Sequence, residues 1–236
     1  MNINTLIEKL RFNAVPIFEG LPPADVSLLQ KNMVKIEEQK NTVLIREGFY
    51  PKGVYIINKG LLKIYQVSAD GEDQIVDFYG TGELIGYRPV ISNETNPVTV
   101  ETLEDSTLSY IPTQVFLQVL QRSPVLSNRL LAALSHEFTV WVNRVSIFTQ
   151  QSIKENVALT LLMLDEKYGR SEKKGTPVVI NISRKDFANF VGTTVETLVR
   201  TLRVLKDEGI ISSKGRGIVI LDREKLAQKL GENFHA

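Results

Sequence analysis

Two helix starts separated by one glycine constrain this chain more than any other feature. Ser183 is followed three residues later by an aspartate, a pairing that caps a helix N-terminus, and Gly192 is typical of the residue that ends a helix. Thr193 and Glu196 repeat the pattern, which predicts a second helix that runs to about Glu208. A helix, a tight turn and a helix form the unit that places its second helix in a DNA major groove.

The second predicted helix is amphipathic and is followed by a hairpin. Its apolar residues recur at helical spacing and are expected to face a core: Val195, Leu198, Leu202 and Leu205. Residues 210–220 contain two short apolar runs around a glycine-rich tip, which predicts a β-wing. Residues 152–236 carry 15 Lys/Arg against 11 Asp/Glu, a mildly basic balance that suits a phosphate-facing surface.

This segment resembles the C-terminal winged helix-turn-helix of the Crp/Fnr superfamily of bacterial transcription regulators. The resemblance extends through the N-terminal half and so covers nearly the whole chain. It implies a homodimer that binds double-stranded DNA and recruits or blocks RNA polymerase. The matching residues are Ile182-Ser183-Arg184, Phe187-Ala188, Val191-Gly192, Val195-Glu196-Thr197, Arg200, Leu205, Ile210-Ile211 and Lys214-Gly215-Arg216-Gly217-Ile218-Val219.

The resemblance also implies which residues read DNA. Glu196 and Arg200 match the pair that reads a G·C pair in a TGA core, since arginine donates to guanine and a carboxylate accepts from cytosine. Their spacing alone is equally that of a surface salt bridge. Val195 matches the FNR branch and would touch a thymine methyl, which favours a half-site like TTGAT, although Val199 departs from that branch. Expected phosphate contacts are Thr193, Thr194, Thr197, Arg184, Lys214 and Arg216, with a merely solvated position as the alternative for each basic residue.

The N-terminal part has the pattern of an all-β sensor. Residues 1–33 are expected to be helical, and from about residue 34 to 110 short β-rich runs alternate with turn signals, which predicts a jelly roll or barrel. The predicted fold is therefore α+β. It comprises a β-roll sensor similar to cyclic-nucleotide-binding domains (1–123), a dimerisation helix (124–151) and a winged helix-turn-helix (152–236), with a hinge near 150–152.

The helix at 124–151 carries a regular apolar stripe. Its members are spaced alternately by three and four residues, the 3.5-residue period of a two-stranded coiled coil. A helix that lies on the core of its own domain is the alternative. The family resemblance favours the dimer interface, which would consist of Leu131, Leu134, Phe138, Trp141, Val145 and Phe148.

The expected effector pocket surrounds the turn at Gly86. In the cyclic-nucleotide branch a glutamate follows this glycine and an Arg-Ser pair comes about ten residues later. Here Tyr87 and Asn96 occupy those places, so a phosphate would lack its usual partners and cyclic-AMP binding in the usual mode is not expected. Arg88 would either hold another anion or lie solvated in a loop. The effector, if there is one, is unknown.

Composition excludes several other classes. The chain has no cysteine, so an FNR-type iron–sulfur cluster and thiolate metal sites are not expected. A lone helix histidine, His136, is a weak signal for haem, which is not expected either. No apolar run is long enough to span a membrane and no signal peptide is recognisable, which favours a cytoplasmic protein. Two other hypotheses are an enzyme, for which no catalytic constellation is recognisable, and a regulatory β-roll that binds a protein partner.

Overall fold

Short strands occupy most of residues 34–112 in the computed structural model, which describes residues 3–69, 71–169 and 178–231. The strands are β1 (Val34–Glu38), β2 (Val43–Ile45), β3 (Gly53–Lys59), β4 (Leu62–Val67), β5 (Asp73–Tyr79), β6 (Leu84–Ile85), β7 (Thr99–Thr102) and β8 (Ser106–Pro112). They form two four-stranded antiparallel sheets in the orders β1-β8-β3-β6 and β2-β7-β4-β5. β4 and β5 form a hairpin in which Leu62 lies opposite Tyr79. The predicted β-roll is confirmed.

Helices cover one face of this β-roll. They are α2 (Pro23–Asn32), α3 (Tyr87–Ser92), α4 (Thr113–Arg122) and the first part of α5 (Pro124–Gln150). One apolar cluster joins them to the sheet, and it includes Leu29, Val54, Val90, Phe116 and Leu126, each at most 2% exposed. Burying each such side chain contributes roughly 1.5–3 kcal/mol, so this cluster fixes the helices on the sheet.

The turn at Gly86 requires a glycine. Gly86 has φ 81°, in the left-handed region, and caps the N-terminus of α3. A Cβ there would also press on the carbonyl oxygen of Gly53 and on the side chain of Ile45. The absence of a side chain therefore lets α3 start directly against β3.

The C-terminal part has the predicted winged helix-turn-helix. Its elements are α6 (Ile153–Gly169), α7 (Arg184–Val191), α8 (Val195–Asp207), β9 (Ile211–Lys214), β10 (Gly217–Ile220) and α9 (Arg223–Gln228). β9 and β10 are antiparallel, with Lys214 opposite Gly217. An isolated antiparallel β-bridge between Ile180 and Ile218 connects the segment before α7 to β10 of the wing.

The first helix, α1 (Ile3–Leu10), belongs with the C-terminal part of the chain. Contacts divide the chain into a unit of residues 12–137 and a unit of residues 1–11 with 138–236. Leu6, Ile7 and Leu10 on α1 are at most 1% exposed, and the guanidinium Nε of Arg144 donates to the carbonyl oxygen of Leu10 over 2.8 Å. Residues 11–22 between α1 and α2 are not helical, so the expectation of helix throughout 1–33 is only partly correct. The boundaries predicted for the three functional parts and the hinge stay predictions.

Among the described residues, no helix combines the length and the apolar character that crossing a membrane requires.

Candidate nucleic-acid interface

The first helix of the helix-turn-helix is capped as the sequence predicts. The backbone N–H of Asp186 donates to the Ser183 hydroxyl oxygen over 2.9 Å, and that hydroxyl donates to the Asp186 carboxylate over 2.6 Å. Gly192 ends α7 with φ 71°, a left-handed value that favours glycine. These local interactions fix the turn that orients α8.

The cap of α8 differs from the predicted one. Thr194, and not Thr193, is the N-cap, and its hydroxyl oxygen accepts from the backbone N–H of Thr197 over 3.2 Å. The predicted capping box of Thr193 with Glu196 is therefore wrong. Thr193 instead donates its backbone N–H to the carbonyl oxygen of Ala188 in the turn. As a consequence, the Glu196 side chain is not engaged in capping.

One face of α8 is buried and the opposite face is open. Leu198, Leu202 and Leu205 are at most 7% exposed, as predicted, whereas Val195 is 38% exposed and lies outside the core. Thr197 is half-buried, and its carbonyl oxygen accepts from the Thr201 hydroxyl over 2.9 Å. The open face comprises Val195, Glu196, Val199, Arg200, Arg203, Val204, Lys206 and Asp207.

Glu196 and Arg200 do not form the salt bridge that was the alternative to base reading. Both are exposed one turn apart, and neither makes a hydrogen bond or ion pair with another described residue. At the same spacing on this helix, Arg203 and Asp207 do approach, with 3.8 Å between Nε and Oδ2. The carboxylate and the guanidinium are therefore available to base edges.

The wing places its cations at an exposed tip. Lys214, Gly215 and Arg216 are exposed, and Gly215 has φ 62°, a left-handed turn position. The following residues of β10, Gly217, Ile218 and Val219, are buried. Backbone pairing and burial thus hold the wing while Lys214 and Arg216 extend from it.

Two grooves flank α8. The wing-side groove, of about 390 Å³, lies between α8 and the wing and is lined by Arg184, Arg203, Lys206, Asp207, Ser212 and Ser213 together with apolar residues. The α6-side groove, of about 580 Å³, lies between α8 and the start of α6 and is lined by Ser152, Lys154, Thr197 and Arg200 among others. The open face of α8 therefore has a cation-bearing groove on each side.

Arg184 is placed differently from the predicted phosphate contacts on the wing. It is half-buried at the start of α7, and burial lowers the pKa of its guanidinium. Its Nη1 is buried and bonds to no acceptor among the described residues. The side chain lines the wing-side groove, whereas the wing residues Lys214 and Arg216 lie at the exposed tip.

Two residues of the predicted effector pocket, Tyr87 and Arg88, belong to a hydrogen-bond network with Glu137. Tyr87 is 1% exposed, and its hydroxyl donates to Glu137 of α5 over 2.8 Å. Arg88 is not a solvated loop residue, because its Nε donates to the same carboxylate over 2.7 Å and its Nη2 donates to the Tyr79 hydroxyl over 2.7 Å. Burial, and then the charge of Glu137, raise the pKa of Tyr87, so this phenol stays protonated and donates.

Asn96 supports a neighbouring loop. It is 5% exposed, and its Nδ2 donates to the carbonyl oxygen of Phe49 over 2.7 Å. The loop that it holds lines a pocket of about 290 Å³, whose other polar or aromatic residues include Arg46, Lys52 and Tyr55. Of the four predicted residues, only Asn96 reaches this pocket.

The apolar stripe on α5 is rotated from the predicted one. Phe138 is 71% exposed, Leu131 64% and Val145 63%, but Leu134 packs against the β-roll core and the ring of Phe148 packs against Phe190. Trp141 is half-buried, with the Arg144 guanidinium 5.6 Å from its ring centre. The prediction missed Val142, which is 52% exposed on the open face.

Sequence reasoning also missed Glu137, Arg203, Lys206 and the serines of the wing. Glu137 lies 49 positions from Arg88, and a lone glutamate in an amphipathic helix gives no signal of its partner. The groove residues come together only when α7, α8 and β9 pack. Val142 could have been found, because it continues the 3–4 spacing from Phe138 to Val145.

Comparisons with known proteins agree with this architecture. Two family models match: a cyclic nucleotide-binding domain over residues 35–123 and a Crp-like helix-turn-helix domain over residues 155–229. The anaerobic regulatory protein of Haemophilus influenzae is 28% identical over 195 residues, which are 83% of this chain and 76% of that protein. The fumarate and nitrate reduction regulatory protein of Escherichia coli is 26% identical over 172 residues, 73% of this chain and 68% of that protein. The structure of FixK2 from Bradyrhizobium japonicum has a similar fold, with a TM-score of 0.74 at 22% identity over 84% of this chain and 98% of that one.

The β-roll, the long helix and the winged helix-turn-helix together define a DNA-binding transcription regulator. The chain belongs to the Crp/Fnr family of transcription regulators. The relatives named above are regulatory proteins rather than enzymes.

Proposed function

We propose that the chain acts as a homodimer that binds a palindrome with TGA in each half-site. The observation that carries this proposal is the position of Glu196 and Arg200, exposed on one face of α8 without an ion pair to another described residue. An arginine free to donate two hydrogen bonds fits guanine, and a free carboxylate fits cytosine. Val195, which is 38% exposed at the start of the helix, would contact a thymine methyl.

The open face of α5 supports the homodimer. Leu131, Phe138, Val142 and Val145 are each more than half exposed and recur every three, four or seven residues. An isolated chain would leave these apolar groups in water, and pairing with the same helix of a second copy would bury them. Two copies related by a two-fold axis would present two α8 helices to a palindrome.

The β-roll residues do not fit a cyclic nucleotide in the mode usual for the family. The positions that would hold its phosphate carry Tyr87, whose hydroxyl is bonded to Glu137, and Asn96, whose amide holds a loop carbonyl. Arg88, the nearby cation, is already paired with Glu137. An effector of another class, or activity without one, is therefore the proposal. The lack of cysteine argues likewise against an iron–sulfur cluster, and His136, the only histidine on α5, is a weak signal for haem.

An effector would regulate this dimer by binding one arrangement of its DNA-binding units more tightly than another. The bound dimer would then recruit or block RNA polymerase at the promoter. Family membership supports this role, and whether the outcome is activation or repression would depend on where the palindrome lies.

Selection of bound sequences from a random duplex pool, with purified protein and no added ligand, tests the proposal. Enrichment of a TGA…TCA palindrome is the expected result. Arg200→Ala should then cost about 1–3 kcal/mol and relax specificity at one G·C pair, whereas Lys214→Ala should weaken binding to all sequences alike. Equal, sequence-independent losses in both variants would contradict the assigned roles. If no palindrome is enriched, repeating the selection with cell extract tests whether an effector is obligatory.

A further inference from the structure

The cavity of about 290 Å³ beside the loop from β2 to β3, here called the β2–β3 pocket, belongs to the β-roll unit. The proposed reading of DNA makes no use of it. Its charged and aromatic lining residues are Arg46, Phe49, Tyr50, Lys52 and Tyr55, and no acidic side chain is among the described residues that line it. The pocket therefore combines two cations with three aromatic rings.

Both cations of the β2–β3 pocket are available to a ligand. Arg46 and Lys52 are exposed, and neither side chain makes a hydrogen bond or an ion pair with another described residue. The acid next to them in the chain is Glu47, whose carboxylate accepts from the backbone N–H of Val67 over 3.3 Å. Burial raises the pKa of Tyr55, so its phenol stays neutral at ordinary pH. The lining thus has a net positive charge, which favours an anion.

The aromatic residues of this pocket favour a ligand with a ring. Phe49 is 64% exposed and the adjacent Tyr50 is 68% exposed, although large apolar side chains are usually buried. The third ring, that of Tyr55, is half-buried and packs against Tyr110 with 5.1 Å between ring centres. Adjacent exposed apolar groups that line a cavity are typical of a binding site, and a planar ring stacks favourably on aromatic side chains.

Hydrogen bonds hold the pocket loop at both ends. At its start, the backbone N–H of Gly48 donates to the carbonyl oxygen of Asn96 over 2.9 Å, and the Asn96 amide donates to the carbonyl oxygen of Phe49 over 2.7 Å. At its end, the Tyr110 hydroxyl donates to the carbonyl oxygen of Lys52 over 2.8 Å. The backbone of the pocket is therefore formed before a ligand arrives, which lowers the entropic cost of binding.

We propose that the β2–β3 pocket binds a small molecule with one aromatic ring and one carboxylate. The ring lies against Phe49 and Tyr50. The carboxylate accepts charge-assisted hydrogen bonds from Arg46 and Lys52, and a guanidinium suits it because two N–H groups match its two oxygens. Small-molecule pockets generally occupy roughly 300–1,000 Å³, so a cavity at the lower end of that range suits one ring rather than a nucleotide. This inference goes beyond the proposed function, which names no class of effector.

A titration of para-fluorobenzoate with the full-length protein, followed by fluorine NMR, tests the pocket. Arg46→Gln and Lys52→Gln should each weaken binding about tenfold, because each removes a charge-assisted hydrogen bond. Tyr50→Leu should weaken it about fivefold through the loss of ring stacking. Lys59→Gln is the matched control and should leave the affinity unchanged, since Lys59 is exposed on β3 outside the pocket and pairs with no described residue.

Two further probes separate the contribution of charge from that of the ring. Para-fluorobenzylamine has a similar ring with a positive charge, and trifluoroacetate has a carboxylate without a ring, so each should bind about tenfold more weakly than para-fluorobenzoate. Equal binding of the amine would overturn the role of the cations, and equal binding of trifluoroacetate would overturn the role of the rings.

Absence of para-fluorobenzoate binding, or an affinity unchanged in all three pocket variants, would overturn the proposal. Circular dichroism and thermal unfolding would show that each variant is folded. Arg46 and Lys52 are both on the surface, so either variant decides the question if the other does not fold. Because no DNA is present in the titration, its outcome is independent of whether the protein selects a TGA…TCA palindrome.

Discussion

Glu137 accepts hydrogen bonds from two neighbouring side chains that lie 49 and 50 positions earlier in the sequence. Its two carboxylate oxygens accept from the Tyr87 hydroxyl and from Arg88 Nε, and Arg88 in turn donates to the Tyr79 hydroxyl. The ring of Phe12 stacks on Tyr79, with 5.5 Å between ring centres. The network therefore fixes α3 and β5 to α5 at Glu137, the last residue of the β-roll unit. It also engages Arg88, the cation proposed as a contact for an anionic effector.

Replacing Glu137 with glutamine should destabilise the protein by about 1–3 kcal/mol. Glutamine keeps the shape and can still accept from Tyr87, but Arg88 loses its charged partner. Chemical denaturation measures the change, with Glu94→Gln as an exposed control. The double variant Arg88→Gln/Glu137→Gln should lose less than the sum of the single losses, because the two side chains interact directly. Strictly additive losses would show that the pair is not coupled.

At the scale of the element, variants at the start of α8 measure how much its N-cap contributes to the free energy of unfolding. Thr194→Ala should lower the free energy of unfolding by about 1 kcal/mol, because the backbone N–H of Thr197 loses its acceptor. Thr193→Ala is the matched control, one residue away, and should cost less than about 0.5 kcal/mol, since only its backbone N–H is engaged in the turn. Denaturant unfolding of both variants checks this. If Thr193→Ala were the more destabilising of the two variants, Thr193 would be the N-cap, as the sequence pattern suggested.

The elements whose limits were predictable are those with local signals. Ser183 with its aspartate and Gly192 with its left-handed turn mark both ends of α7, and turn residues mark the hairpin of β4 and β5. The capping-box pattern favoured Thr193 as the cap of α8, and this was wrong because the backbone N–H of Thr193 is engaged in the turn with α7 and Thr194 caps the helix instead. The apolar spacing of α5 also did not show that Leu134 and Phe148 pack within the chain, since an apolar period does not show which side of a helix the protein's own core covers.

The residues of the candidate interface were predictable in part. Glu196 and Arg200 were found through the motif, and the structure places both on the open face of α8. The wing-side groove was not predictable, because Arg184 and Ser212 lie 28 positions apart and meet only through packing of α7 against α8 and β9. Sequence patterns of this kind indicate faces of single elements, whereas grooves depend on how several elements pack.

At the scale of the whole molecule, the proposed homodimer would pair through the open face of α5. Glutamate at position 138 would place two charges against the apolar side chains of the pairing helices, where they cannot be hydrated or paired. Phe138→Glu should therefore weaken the dimer by at least about 2 kcal/mol, roughly thirtyfold in its dissociation constant. Sedimentation equilibrium measures this dissociation constant. Binding to the palindrome should weaken in parallel, because a monomer contacts only one half-site.

Phe49→Glu provides the matched control for this prediction. Phe49 is 64% exposed, close to the 71% of Phe138, but it belongs to the loop between β2 and β3 and not to α5. The same change of residue in a similarly exposed position should leave the dissociation constant of the dimer unchanged. A dimer that survives Phe138→Glu but is lost in Phe49→Glu would move the interface to the β-roll loop. Equal, small effects of both would contradict pairing through α5, whereas a loss confined to Phe138→Glu would identify the helix as the interface.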